Sequence, residues 1–304
     1  MLLIFRTVTN ACSRINIFQK HQSFFVKVTT VLYIKRQNNT SQRFCSKVLP
    51  IFPPSKQLTM KVLAVFDFDH TILDDNSDTA VIALTDKDNI PVEIRSLHST
   101  EGWTAFMQAI FKLLNHEGRT IDEINNLIMN LQPVGGMVSL ITEFHKNPAF
   151  DSIIISDSNA HFIDIWLEKN DVGKCFVKVF TNPSKIEDGL LTISPYHNQN
   201  TCKLSTNNLC KGRVLEEFMQ EQRDKGVVYD RIVYIGDGVN DFCPILRLHK
   251  NDLACVRKGY KLQDLVTKAK KGTSFDNSGK PHVILAEIFV WETGDDILKH
   301  LQMK

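Results

Sequence analysis

Three short apolar runs govern what this chain is able to fold into. Residues 62–66, 152–155 and 232–235 each hold four or five residues, and each run stops at a cluster that contains aspartate. Runs this short and continuous suit strands buried on both faces, as in the middle of a parallel sheet. Helical patterns separate them. Trp103, Phe106, Met107, Ile110, Phe111 and Leu114 recur at helical spacing, and Ile121, Ile124, Leu127, Ile128 and Leu131 form a second stripe. Such stripes face a core. Pro133 and the pair Gly135-Gly136 interrupt before a helix predicted over 138–145. Residues 176–180 and 190–193 read as a hairpin-like pair around Gly189. Residues 214–222 read as a helix stopped by Gly226, and 253–256 as one more strand. Strands alternating with helices predict an α/β fold, a doubly wound, Rossmann-like parallel sheet with a helical cap inserted after the first strand. The expected organisation is a basic leader over 1–59, a core over 60–79 and 148–304, and a helical cap over 80–147.

Composition removes several alternatives. A chain with 43% hydrophobic and 23% charged residues buries too much to be disordered. No run of about 18 apolar residues exists, so no spanning helix is predicted. Seven scattered cysteines, an odd number, argue against a disulfide framework and for a reducing compartment such as the cytoplasm. Residues 1–60 carry nine Lys or Arg and no Asp or Glu, which leaves 27 basic against 34 acidic residues in the remainder. An acidic working region has no nucleic-acid footprint. The leader itself reads in two ways. It has the basic, acid-free character of a mitochondrial transit peptide, or translation starts at Met60 and the leader is not part of the working protein. Pro53 and Pro54 make 51–55 a linker in either case.

The chemistry gathers where strands end, which is where open α/β sheets bind ligands. The first run leads into Asp67-Phe68-Asp69-His70-Thr71. Alternation puts Asp67 and Asp69 on one side, and two close carboxylates either draw in a divalent cation or raise one pKa. Oxygen-only ligands favour Mg²⁺. Taken alone, the pair reads equally as a solvated turn. The second run leads into Ser156-Asp157-Ser158-Asn159. The Ser156 hydroxyl suits either a phosphoryl oxygen or a helix N-cap. The third leads into Gly236-Asp237-Gly238-Val239-Asn240-Asp241, where a helical turn brings Asp237 and Asp241 together. Lys211 lies near the start of the helix preceding that strand, a position that favours an anion.

In that order, the four motifs resemble those of the haloacid dehalogenase superfamily, specifically its phosphatases with a helical cap. The segments MKVLAVFDFDHTILDDNSDT, IIISDSNAHFI, CKGRVLEEF and VYIGDGVNDFCP are similar to the phosphoethanolamine/phosphocholine phosphatases and their pyridoxal-phosphate phosphatase relatives. The likeness extends through Arg257-Lys258-Gly259-Tyr260 and Trp291-Glu292-Thr293-Gly294, but not to residues 1–59. It implies a small-molecule phosphate monoester as substrate and Mg²⁺ as cofactor. Asp67 would be the nucleophile and Asp69 the general acid/base. Ser156 and Lys211 would hold phosphoryl oxygens. Mg²⁺ would sit on Asp67, the backbone carbonyl of Asp69 and Asp237, with Asp241 in support and Thr71 steadying the loop.

Asp78 and Asp157 either cap helices or, as the resemblance implies, contact the substrate's head group. Pyridoxal 5′-phosphate is the favoured substrate, with phosphoethanolamine or phosphocholine as the alternative. A phosphomutase and a protein phosphatase share the first motif. A helical insertion suits a lid over a small substrate better than an open cleft. A non-catalytic phospholigand-binding protein is a remoter alternative, because Asp67, Asp69, Lys211 and Asp237 are all kept. Relatives tend to carry a further His and Cys between 195 and 211, where this chain does not. His197, Cys202 and Cys210 therefore fall short of a four-ligand zinc site, and unmetallated thiols in a loop are the expectation.

Overall fold

The computed structural model describes residues 61–303, so the leader, the 51–55 linker and the Met60 start lie outside the described residues. In chain order, strand β1 (Lys61–Phe66) is followed by five helices, α1 (Ser77–Ile82), α2 (Val92–Thr100), α3 (Trp103–His116), α4 (Ile121–Asn130) and α5 (Met137–Lys146). Strand β2 (Phe150–Asn159), α6 (Ala160–Lys169) and β3 (Lys178–Asn182) come next, then a hairpin of β4 (Ser184–Glu187) and β5 (Leu190–Ile193). The remaining elements are α7 (Lys211–Asp224), β6 (Tyr229–Gly236), α8 (Phe242–Ile245), β7 (Leu253–Arg257), α9 (Lys261–Lys270), β8 (Glu287–Trp291) and α10 (Gly294–Gln302).

Six strands form one all-parallel sheet in the order β3-β2-β1-β6-β7-β8. The chain leaves β1 on one side for β2 and β3, then returns to the other side for β6. That reversal makes the ends of β1 and β6 a topological switch point. Period-two alternation divides the strand residues between two cores. Ala64, Phe66, Ile154, Val233 and Ile235 pack with residues of α3 to α6 and α10, whereas Leu63, Val65, Ile153, Ile155 and Tyr234 pack with residues of α7 to α9. Both strand faces are covered, which is why the runs are continuously apolar rather than alternating.

The hairpin expectation needs one correction. The strand after α6 does not pair with residues 190–193; it lies parallel beside β2, with Ile154 opposite Val179. The partner of β5 is β4, joined through Asp188 and Gly189, both at positive φ (50° and 79°). Two successive positive φ values make the type I′ turn that Asp-Gly favours. The two helical stripes became α3 and α4, and α4 opens with a reciprocal cap between Thr120 and Glu123. Helix α7 stops as read, with Gly226 at φ 80°. Helix α5 lies against β2 and α10.

Candidate active site

Register places the acidic clusters side by side. Phe66 pairs with Ile154 on one side and Ile235 on the other, so the residues that follow Phe66, Ile155 and Ile235 meet at one edge. Strand β1 itself ends at Phe66, and alternation no longer governs the loop beyond it. Asp67 still donates its N–H to the Ile235 carbonyl (3.0 Å). Phe68 is fully buried against Trp166, ring centroids 5.8 Å apart and nearly perpendicular. Burying that ring contributes about 2–3 kcal/mol, and it pins the loop so that Asp67 and Asp69 are held on either side of an anchored residue. His70 then adopts φ 52°, a left-handed conformation costing roughly 1–2 kcal/mol for a residue with a Cβ. Two contacts hold it there. Its N–H donates to the Asp75 carbonyl (2.9 Å), and its own carbonyl accepts from Arg257 (2.5 Å). Arg257 also pairs with Asp74 and lies over the Tyr260 ring.

At the centre is a buried ionic cluster. Lys211, the first residue of α7, is fully buried and reaches Asp67 Oδ2 at 2.6 Å and Asp241 Oδ1 at 2.8 Å. Asp241 is saturated. It also accepts from Tyr234 Oη (2.7 Å) and from the backbone N–H groups of Asp237 (3.0 Å) and Gly238 (2.8 Å). The expected helical turn over 237–241 is replaced by a 3-10 turn at Val239–Asp241, and it is the two backbone bonds to the Asp241 side chain that join it to Asp237. Gly236 makes room for it, since a Cβ there would sit 2.6 Å from the Asp241 carboxylate. Thr71 Oγ1 points at Asp237 Oδ1 from 3.4 Å.

Electrostatics sharpen the assignments. Burial, then Asp241, pushes Asp67 well above the usual carboxylate range, with Lys211 opposing. The same two causes raise Asp237 to about 8. Burial would lower Lys211, but Asp241 and Asp67 overcome it and raise it further. Fully ionised, three carboxylates facing one ammonium would leave two negative charges, which one divalent cation would cancel. One oxygen each from Asp67, Asp237 and Asp241 fall within 4.8 Å of one another. Because Asp241 already accepts four hydrogen bonds, Asp67 and Asp237 are the pair with capacity left for a metal, and their hard oxygens fit Mg²⁺.

Asp69 stands apart from this cluster. It accepts from Ser77 N (2.8 Å), Ser77 Oγ (3.1 Å) and Asn76 Nδ2 (3.4 Å) at the start of α1. Burial, then the Asp78 charge, raises it to about 8. Asp78 is itself raised to about 7 by burial. Its Oδ2 accepts from Trp103 Nε1 of α3 at 2.6 Å, whereas its buried Oδ1 has no partner among the described residues.

The helix-cap alternatives are not realised. Asn76 caps α1 and Asn159 caps α6, so Asp78, Ser156 and Asp157 are free of that duty. Ser156 is buried, and its Oγ accepts from Ser158 N (3.2 Å), which leaves its hydroxyl hydrogen to donate elsewhere. Asp157 accepts from Asn240 Nδ2 (2.9 Å), and its charge acts on Asp67, Asp69, Asp78 and Lys211 alike. All eight residues singled out from sequence therefore converge on one edge. Several partners were missed: Ser77, which holds Asp69 and meets Ser158 Oγ at 2.9 Å; Tyr234; Asn240; and Trp103, read only as a core residue. Ser77 carried a signal, lying eight residues past Asp69 within the acidic opening of a helix. Tyr234 did not, because a strand tyrosine reads as core.

A sequence model of the family described as Putative Phosphatase matches residues 62–304. The chain is 43% identical to the mouse (Mus musculus) pyridoxal phosphate phosphatase PHOSPHO2 over 245 residues, covering 80% of this chain and 98% of that protein. The human (Homo sapiens) protein of the same name is 42% identical over the same shares. The human phosphoethanolamine/phosphocholine phosphatase is 32% identical over 244 residues, 80% of this chain and 88% of that one. With relatives this similar along almost their whole length, the chain belongs to this family and is a phosphatase of the haloacid dehalogenase type.

Proposed function

We propose that the protein hydrolyses pyridoxal 5′-phosphate through an aspartyl-phosphate at Asp67, with Mg²⁺ as cofactor. The observation that carries this reading is the split between two acids of one loop. Asp67 is paired with a buried ammonium at 2.6 Å, and Asp69, away from it, holds its proton up to about 8. Burial raises both, but only Asp67 has an ammonium beside it that opposes the rise and favours the anion, whereas Asp69 has none and keeps its proton as an acid, the division of labour that displacement at phosphorus needs.

In the first step an Asp67 oxygen attacks phosphorus as the ester oxygen departs, and Asp69 gives that oxygen its proton. In the second, Asp69, now ionised, takes a proton from water as the water attacks phosphorus, and Asp67 is released. Ser156 donates to a non-bridging oxygen, and Lys211 supplies positive charge beside it. Asp241 keeps Lys211 aimed and, through the 237–241 turn, fixes Asp237. Mg²⁺ would be held by Asp67, Asp237 and the Asp69 carbonyl, and would supply charge neutralisation between anionic nucleophile and anionic phosphate. The helical segment between β1 and β2 acts as the lid. Trp103 of α3 reaches across to Asp78, so closing α3 over the edge also sets the head-group carboxylate.

The two groups of relatives differ in the substrate they are named for. Identity of 42–43% against 32% favours pyridoxal 5′-phosphate. The second reading, phosphoethanolamine or phosphocholine, is favoured by the paired carboxylates Asp78 and Asp157, which suit an ammonium. Initial rates on the three esters, with Mg²⁺ and with chelator, test the proposal. Pyridoxal 5′-phosphate should have the highest kcat/KM, and chelator should abolish turnover of all three. Turnover that survives chelation removes the cofactor; preference for an ammonium ester removes the substrate.

A further inference from the structure

Three cysteines far apart in sequence meet beside the Lys211 helix. Cys202 lies in the loop between β5 and α7, Cys210 immediately precedes Lys211, and Cys243 is in α8, two residues past Asp241. Their sulfurs all lie within 4.8 Å of one another. Cys202 Sγ and Cys243 Sγ are 3.4 Å apart, Cys210 Sγ and Cys243 Sγ 3.8 Å. All three are free thiols. Sulfurs bound tetrahedrally at about 2.3 Å from one zinc stand about 3.8 Å from each other. A disulfide would need about 2.05 Å. Two edges of the triangle, 3.4 and 3.8 Å, are close to those of one face of a thiolate–zinc tetrahedron, and the third is within 4.8 Å.

The surroundings are built for that face. Gly212 of α7 leaves the space that Cys243 uses, since a Cβ there would meet Cys243 Sγ at 2.7 Å and Arg247 Nε at 2.5 Å. Gly212 is the second residue of α7, and its missing side chain admits a sulfur and a guanidinium. Arg247 interacts electrostatically with Cys243, Glu216 and Cys210. Three thiolates on a divalent cation carry one net negative charge, which this guanidinium offsets. The loop holding Cys202 is wound on one buried side chain. Gln199 donates from Nε2 to the carbonyls of Cys202 (3.2 Å) and Thr206 (2.6 Å), and accepts from Cys202 N–H (2.9 Å). Ser205 Oγ lies 3.4 Å from Cys202 Sγ, beside the triangle. His197 is already committed, its Nε2 accepting from Cys210 N–H at 2.9 Å.

We propose that Cys202, Cys210 and Cys243 form a structural zinc site, with Ser205 or water as the fourth ligand. The three thiols lose their protons to solvent as the ion enters. The site differs from the carboxylate cluster in donor chemistry, sulfur against oxygen, so the two do not compete for the same cation. Its role is to tie the 194–209 loop and α8 to the start of α7, and so to position Lys211.

The test uses the full chain, purified with zinc in the medium and excess Mg²⁺ in every buffer. Elemental analysis should find about one zinc per chain, and Cys202→Ser and Cys243→Ser should each lower it to below about a tenth. Cys175→Ser, outside the triangle, should not. Refolding the parent with Co²⁺ should give the intense near-ultraviolet thiolate-to-cobalt absorption that carboxylates cannot produce. The cobalt spectrum decides the question even if a cysteine variant fails to fold. Absence of both zinc and that absorption overturns the proposal. So does a Cys202–Cys243 disulfide in the protein isolated under these conditions, or zinc retained in both serine variants.

Discussion

Replacing Asp78 by asparagine tests the head-group assignment, and the structure says what the substitution does. Trp103 Nε1 donates to Oδ2 at 2.6 Å, so the asparagine must keep its oxygen there and turn its NH₂ to where Oδ1 stood. Oδ1 is the buried atom without a partner among the described residues. The change therefore replaces the unpartnered acceptor with a donor and leaves the tryptophan bond intact. Losing a charge-assisted contact costs about 1.5–3 kcal/mol, a fall of about 10- to 150-fold in kcat/KM for the natural ester. Small neutral esters have no head group to lose and should stay within about threefold. A second effect runs through Asp69. Asp78 is the foremost charge raising it above its ordinary value, so its removal should lower the Asp69 pKa from about 8. The alkaline limb of the rate profile should move to lower pH for every ester. The assay is kcat and KM across pH for pyridoxal 5′-phosphate and a neutral alkyl phosphate. An equal loss on both substrates with an unmoved alkaline limb would refute the reasoning and make Asp78 a support of the fold.

Three further outcomes are expected. Asp69→Asn should cost about 10²–10⁴-fold on alkyl esters and least on activated aryl esters, whose leaving groups need little protonation; equal losses across a leaving-group series would remove it as the acid. Gly236→Ala should force the Asp241 carboxylate off the Asp237 and Gly238 N–H groups and lower kcat by more than about tenfold, seen in steady-state rates with the circular dichroism unchanged; parental rates would show that the 237–241 turn is not needed. Asp69, Asp78 and Asp237 have folded-state values of about 8, 7 and 8 against 3.8 unfolded. The folded protein then binds more protons than the unfolded one between those limits. Metal-free protein should therefore lose stability as pH rises from about 4 to about 8, by at most about 1.4 kcal/mol per unit per group. Mg²⁺ should restore it at the alkaline end, as read from urea midpoints with and without the ion. Stability that rises over that window in chelator would contradict the burial argument.

Much of this architecture was legible because one physical signal repeated. A strand buried on both faces must be continuously apolar, and Val62 to Phe66 and Ile232 to Ile235 are, so the core strands and the acidic residues after them could be read together. The features that escaped were set by tertiary contact. Residues 178–182 joined the main sheet rather than the hairpin because β2 offered an open edge, which no local pattern reveals. Strand β8 is the exception: its run Ile288 to Trp291 is as continuously apolar as the others and was readable from the sequence, although at the sheet edge it is largely half-exposed. The raised pKa of Asp69 is expected from neighbouring carboxylates, yet burial is the larger cause, with Asp78 next. Cys243 is 33 residues from Cys210 and sits behind the Asp237 motif. Reading the loop alone could not count it among the thiols.

The claim that most depends on the geometry is that Asp67 carries the phosphoryl group. A single turnover of the full chain with Mg²⁺ and pyridoxal 5′-phosphate, quenched in acid and reduced with borohydride, converts an acyl phosphate to an alcohol. Peptide mass spectrometry should then find homoserine at position 67 and nowhere else, and none in Asp67→Asn. A full burst of product with unmodified Asp67, or with the reduced residue at Asp69 or Asp237, would contradict the account.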